Sequence, residues 1–130
     1  MNAVSAIKQY QQVSVNSSVM DASPYRLVQM LMEGALERIV LAKASMARNE
    51  IAKKGQSIGR AIDIIGGLQG SLNKEAGGEI AENLSNLYDY MVRRLLVANS
   101  QNDKSILDEV SGLMIELKMG WEAMPDAYKH

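Results

Sequence analysis

The residue types that carry much of enzyme chemistry are scarce in this chain. Its 130 residues include no cysteine, and the single histidine is the last residue, His130. Without cysteine there are no disulfides and no thiolate metal ligands, and without an internal histidine the Glu-x-x-His di-metal site of helical bundles cannot form. A nucleophile activated by histidine is excluded for the same reason. We therefore expect a protein that is not an enzyme and that holds no metal or cofactor.

Long apolar runs and a surplus of one charge are also missing. No segment approaches the about 18 consecutive apolar residues that a membrane-spanning helix requires. The N-terminal residues lack the apolar core and the cleavage site of a secretory signal, so we expect a cytosolic protein without membrane insertion. With 14 basic and 15 acidic residues, the chain has no basic surplus for nucleic acid. The basic pairs Lys53-Lys54 and Arg93-Arg94 are interpreted as solvated helix faces, with recognition of an acidic partner as the alternative.

Apolar residues recur at three- and four-residue steps in four segments, which predicts four helices. Ser23 before Pro24 is typical of a helix start, and Asn102 or Asp103 suits another. We expect helices from residue 24 to about 48, from about 50 to 71, from about 79 to 99, and from about 103 to 124. The second helix is rich in glycine, so a break at Gly66-Gly67 is the alternative to a continuous helix.

The connections between these helices are short, and short connections place consecutive helices antiparallel. The predicted fold is all-α, an antiparallel up-down-up-down four-helix bundle formed by residues 23–130. Residues 1–22 are mostly small, polar or β-branched, and they have one small apolar face at Val4, Ile7 and Tyr10. We expect them to form an N-terminal arm, a short helix followed by an extended segment, that packs on the bundle.

The third helix carries two apolar rows instead of one. The first row contains Ile80, Leu84, Leu87, Met91, Leu95 and Ala98, and the second contains Ala81, Tyr88, Val92 and Leu96. Two rows on one helix make an apolar arc that is wider than contact with a single neighbour requires. The spare part of this arc indicates a surface for a partner.

The segment from Gly77 to Asn99 resembles the third helix of the FliS family, the export chaperones of bacterial flagellin. Further similarity extends along nearly the whole chain, in Ile7-Lys8-x-Tyr10, Ala22-Ser23-Pro24, Met30-Leu31-x-Glu33-Gly34-Ala35, Ile51-Ala52-x-Lys54-Gly55 and Trp121. The resemblance implies a cytosolic chaperone whose client is the C-terminal segment of flagellin, which is disordered before export. It also implies links to the flagellar export gate and to the flagellar anti-sigma factor.

With this resemblance, the spare arc is expected to be a groove that holds the flagellin segment as helices. Binding there would prevent premature polymerisation and aid export through the flagellar type III secretion system. The groove is expected to contain Leu84, Leu87, Tyr88, Met91 and Leu95, with Ile7 and Tyr10 on the arm as its lid. Tyr88 and Leu84 are expected to face outward. The alternative is a non-catalytic bundle subunit that self-associates through the same face, and the free chain is expected to be a monomer or homodimer.

Overall fold

The computed structural model describes residues 22–130, and the side chains of all of these except Lys74 and Glu75. Within that range there is no strand, and four α-helices follow one another: α1 (Pro24–Ala47), α2 (Ile51–Gly70), α3 (Lys74–Gln101) and α4 (Lys104–Glu122). A short 3₁₀ helix, Asp126–Tyr128, comes after α4. The expected all-α fold is confirmed. The predicted N-terminal arm, residues 1–22, lies outside the described residues except for Ala22.

The ends of the helices are set by local backbone chemistry. The side chain of Ser23 accepts a hydrogen bond from a backbone N–H of the first turn of α1 at 3.2 Å, and Pro24 occupies the first helical position. The side chain of Asp103 does the same for α4 at 2.9 Å. Asn49 and Asn102 adopt positive φ angles of 57° and 54°, which asparagine tolerates better than most residues. The chain therefore reverses within a few residues after α1 and after α3.

The structure decides whether α2 is continuous, and it places the start of α3 earlier than the sequence predicts. α2 is continuous through Gly66-Gly67, so the alternative of a break there is wrong. α3 begins at Lys74 instead of near residue 79, because one extra helical turn precedes Gly78. Gly78 has φ 54° and ψ −127°, a conformation open to glycine, and a Cβ on Gly77 would lie 2.8 Å from the Cβ of Ala81. The Gly77-Gly78 pair therefore allows a kink between the first turn of α3 and the rest of the helix.

Polar contacts between helix ends establish the antiparallel order. Lys54 at the start of α2 donates a hydrogen bond to the carbonyl of Asn99 near the end of α3. Gln29 near the start of α1 donates to Glu122 at the end of α4, at 2.8 Å. Each helix packs against the next one, and α4 packs against α1. This arrangement is the predicted up-down-up-down bundle.

One apolar core runs between the four helices. Its largest fully buried side chains are Met32, Ile39, Ile58, Ile65, Leu68, Met91, Leu95, Leu107, Val110 and Met114. Burying a side chain of this size stabilises the fold by roughly 1.5–3 kcal/mol before entropy is subtracted. No helix among residues 22–130 has the length and apolar character needed to cross a bilayer.

Candidate functional site

Three of the residues expected to line a groove lie in the core instead. Tyr88, Met91 and Leu95 are 3%, 0% and 0% exposed, and they pack with core residues of the other helices. They are buried because α2 and α4 both lie beside this part of α3. The prediction that Tyr88 faces outward is therefore wrong, and burial raises the pKa of its phenol to about 12.

The first turns of α3 are more open to solvent. Leu84 and Leu87 are half-buried at the edge of the core, and Ile80, one turn earlier, is 72% exposed. Gln69, the second-last residue of α2, donates a hydrogen bond to Ser85 Oγ at 3.0 Å. The residues of α3 that precede Leu84 therefore extend past the end of α2. For this reason the apolar row that is buried at Met91 reaches solvent at Ile80.

A carboxylate of α4 holds the later part of the α3–α4 contact together. Glu109 accepts hydrogen bonds from the Tyr90 hydroxyl at 2.7 Å and from Arg94 Nε at 2.8 Å. The bond from Arg94, followed by that from Tyr90, lowers the pKa of Glu109, and the bond to Glu109 raises the pKa of Tyr90. Glu109 is therefore ionised at neutral pH, and the contact fixes how α3 and α4 lie along each other.

Apolar side chains line the rest of the α3–α4 contact. Because α3 and α4 are antiparallel, residues that precede Tyr90 in α3 lie at the same level as residues that follow Glu109 in α4. The leucines in these turns are half-buried. We call the surface that they form with Ile80 the apolar seam, and it consists of Ile80, Leu84 and Leu87 of α3 with Leu113 and Leu117 of α4. The two α4 leucines were not expected, because the period of α4 does not indicate which of its apolar rows borders α3.

A concave site lies at the end of the bundle where α1 turns into α2. This pocket of about 270 Å³ is lined by Ser45, Met46, Asn49, Glu50, Ile51, Lys54, Asn99, Ser100 and Asn102. Lys54 is only 5% exposed, whereas the side chain of Lys53 is 71% exposed. The interpretation of Lys53-Lys54 as a solvated face is therefore right for Lys53 and wrong for Lys54.

Aromatic side chains occupy the opposite end of the bundle. Tyr25 and Trp121 stack with ring centroids 5.4 Å apart and an interplanar angle of 8°. Trp121 Nε1 also donates a hydrogen bond to the backbone carbonyl of Tyr25 at 3.1 Å. With Leu27, Val28 and Tyr128 they line a pocket of about 330 Å³. Trp121 thus ties the end of α4 to the start of α1, and its fluorescence reports on that packing.

The described residues provide surfaces for binding. Within residues 22–130, no group of three or more histidine, cysteine, aspartate or glutamate side chains is placed to hold a metal ion. The apolar seam suits one face of an amphipathic helix, and the pocket at the α1–α2 turn suits a polar or charged group. Ile7 and Tyr10, the expected lid, lie outside the described residues, so their relation to the seam stays a prediction.

Comparison with known proteins gives similarity along nearly the whole chain. A family model described as "Flagellar protein FliS" matches residues 6–128. Flagellar secretion chaperone FliSB of Pseudomonas aeruginosa is 54% identical over 124 residues, which are 95% of this chain and 98% of that protein. The flagellar secretion chaperones FliS of Salmonella typhimurium and Vibrio cholerae are 47% and 44% identical, over 94% and 95% of this chain and 91% and 90% of theirs. These names describe chaperones, in agreement with the expectation of a protein that is not an enzyme.

Proposed function

The chain belongs to the FliS family of flagellar secretion chaperones, and we propose that its client is flagellin, held by its C-terminal segment in the cytosol before export. Covering this segment prevents premature polymerisation and keeps flagellin ready for the flagellar type III secretion system. The protein acts by binding alone, with no turnover and no cofactor. Contacts with the export gate and the anti-sigma factor, which the family resemblance implies, belong to the same proposal.

The apolar seam is the observation that supports this client. Leu84 and Leu87 of α3 and Leu113 and Leu117 of α4 are all half-buried, and the register set by the bonds from Tyr90 and Arg94 to Glu109 puts them along the same stretch of the α3–α4 pair. An amphipathic helix binds in such a groove through apolar residues at three- and four-residue spacing. A disordered segment that folds on binding must bury enough apolar surface to offset its ordering entropy. The seam, extended by Ile80, offers that surface beyond the end of α2.

The N-terminal arm, residues 1–22, is proposed to cover the seam while no client is bound. We expect Ile7 and Tyr10 to be the side chains that make this contact. Fully burying one large side chain gives about 1.5–3 kcal/mol before the entropy of ordering the segment is subtracted. A short arm is therefore held weakly, and a longer flagellin segment displaces it.

Two forms of flagellin test the proposal, the full-length monomer and a monomer that lacks the C-terminal segment. Isothermal titration calorimetry should give stoichiometric binding of the full-length form and none of the truncated one. Raising the salt concentration from about 0.1 M to about 0.5 M should change the affinity by less than about threefold, because screening weakens exposed charge pairs and not apolar contacts. Absence of binding to full-length flagellin, or binding that disappears at the higher salt, would contradict the proposal. Self-association through the seam without flagellin binding would support the alternative of a bundle subunit.

A further inference from the structure

Lys54 is the most deeply buried charged side chain in the described range, with 5% of its surface exposed. Its ammonium group has three N–H donors. One donates to the carbonyl oxygen of Asn99 at 3.1 Å, and another donates to Oδ1 of Asn102 at 3.0 Å. Both acceptors are neutral, and among the side chains that the structure describes no carboxylate lies within 4.0 Å of Lys54 Nζ. A buried ammonium without a counter-ion is costly, so a third, anionic acceptor would stabilise it.

Lys54 forms part of the wall of the 270 Å³ pocket at the α1–α2 turn. Apolar surface lies beside this ammonium group, since Met46 and Ile51 line the same pocket. Ile51 is 73% exposed, so its side chain is open to a ligand. A ligand that fits both features has an anionic group next to an apolar side chain. The last residue of a polypeptide, with its free carboxylate and its own side chain, has this composition.

The charges at the α1–α2 turn favour an anion in this pocket. Arg48 and Lys53 both pair with Glu50, at 3.4 Å and 3.0 Å, and both basic side chains are 71% exposed. Glu50 and Lys54 are the charged residues in the lining of the pocket, and Arg48 and Lys53 neutralise the Glu50 carboxylate from outside that lining. The buried Lys54 ammonium can therefore bind an anionic group away from solvent screening.

We propose that this pocket binds the terminal carboxylate of the client's polypeptide chain. The carboxylate accepts a hydrogen bond from the third N–H of Lys54, and the client's last side chain packs on Met46 and Ile51. A charge-assisted hydrogen bond of this kind is roughly twice as strong as one between neutral groups. The inference rests on the proposed function, because a client held by its C-terminal segment brings its chain end with it. It places the client's last residue at the α1–α2 turn, away from the Tyr25–Trp121 end.

Lys54 also has a role that needs no client. Its ammonium bonds one of the last carbonyls of α3, that of Asn99, where a cation interacts favourably with the negative end of the helix dipole. Replacing Lys54 therefore lowers the stability of the free chain whether or not the pocket binds a carboxylate. The experiment must change the carboxylate as well as the lysine.

Two peptides of one sequence, the C-terminal segment of flagellin from the same cell, separate the two roles of Lys54. One peptide ends in the free carboxylate and the other in a carboxamide. Titration calorimetry with the unmodified full chain at pH 7 should show that the carboxamide binds at least about tenfold more weakly. Equal affinities for the two peptides would overturn the inference, and this comparison needs no variant to fold.

Two lysine variants then assign the effect to one ammonium. Lys54→Met supplies an uncharged, unbranched side chain of similar length, so it should bind both peptides alike, at the level of the carboxamide with the unmodified chain. Lys129→Met, at the opposite end of the bundle beside the Tyr25 ring, is the control and should keep the preference for the free carboxylate. Circular dichroism checks that both variants keep their helices. A Lys54→Met chain that still prefers the free carboxylate would overturn the assignment.

The outcomes also separate this inference from the proposed function. If both peptides bind the unmodified chain equally, flagellin is the client as proposed, but its terminal carboxylate does not bind in this pocket. If neither peptide binds, flagellin is not held by its C-terminal segment and both proposals fail.

Discussion

Tyr88 packs in the bundle core, where the residue is 3% exposed and the pKa of its phenol is raised to about 12. The cause is desolvation, which disfavours the phenolate. In the unfolded chain the same phenol has a pKa of about 10. Between about pH 10 and pH 12 the unfolded state therefore loses a proton that the folded state keeps, so the stability of the fold decreases as the pH rises through this window.

Replacing Tyr88 by phenylalanine removes this titration. From pH 10 to pH 12, we expect the free energy of unfolding of the unmodified chain to fall by roughly 2 kcal/mol more than that of Tyr88→Phe. Urea unfolding followed by the fluorescence of Trp121 measures the difference. Tyr128→Phe, at a residue that is 69% exposed, is the control and should follow the unmodified chain. Identical pH profiles for all three chains would mean that the Tyr88 hydroxyl is hydrated in the folded state.

The sequence pattern does not predict which individual apolar or long polar side chains are buried in the core. The period of α3 identifies Met91 and Leu95 as apolar-face residues, but it does not indicate whether that face meets the core or a partner. Tyr88 and Lys54 each combine a long apolar part with a polar end, a composition that suits a surface position equally well. Lys54 is buried because its side chain reaches the end of α3, and this depends on how α2 and α3 are aligned. That alignment is a tertiary property that no local pattern contains.

Among the helices, α3 depends on a glycine at its bend. Gly78 has a positive φ of 54°, so a side chain at this position strains the backbone. We expect Gly78→Ala to lower the free energy of unfolding by about 1–3 kcal/mol. Gly66→Ala in α2 is the opposite case, because a Cβ there meets nothing within 4 Å and alanine favours a helix.

Gly66→Ala is therefore expected to raise the free energy of unfolding, by up to about 1 kcal/mol. Urea unfolding of the two variants beside the unmodified chain gives both values. If Gly78→Ala were as stable as Gly66→Ala, the bend in α3 would be adaptable and the first turn would not need glycine. The opposite signs make the pair a test of backbone conformation and not of side-chain size.

The limits of the helices were predictable where a capping residue marks them. Ser23 starts α1 as expected, and of the two candidates for the start of α4, Asn102 and Asp103, it is Asp103 whose side chain accepts from a backbone N–H of the first turn. The extra turn of α3 before Gly78 was not predictable, since glycine at positive φ normally marks a loop. The solvent exposure of the first turns of α3 was also not predictable, because it depends on where α2 ends beside α3.

For the molecule as a whole, the N-terminal arm is predicted to act as a lid over the apolar seam. Deleting residues 1–18, or changing Ile7 and Tyr10 to alanine, should expose apolar surface and leave the helix content nearly intact. We expect more binding of a hydrophobic dye, more self-association in sedimentation, and faster association with flagellin. Unchanged behaviour in all three assays would mean that the arm covers nothing. Unfolding of the truncated chain would place the arm in the core.

The described part of the bundle combines a closed core with an incompletely covered contact between α3 and α4. The core is closed where Tyr88, Met91 and Leu95 lie between α2 and α4, and the Glu109 contact with Tyr90 and Arg94 fixes α3 against α4. Beyond the end of α2, the apolar seam remains at the surface. For the proposed function, this division would let the protein be stable alone and still offer apolar surface to a disordered client.

A charge placed in the apolar seam shows whether this surface holds the C-terminal segment of flagellin. Leu84→Asp should keep the helical circular dichroism spectrum and weaken binding at least about 30-fold in titration calorimetry, because a charge in a desolvated apolar contact costs about 2 kcal/mol or more. Leu41→Asp, at a leucine of α1 that is 42% exposed and away from the seam, is the matched control and should bind within about twofold of the unmodified chain. Unchanged binding by Leu84→Asp would mean that the seam is not the binding surface. Global unfolding of this variant would mean that Leu84 belongs to the core.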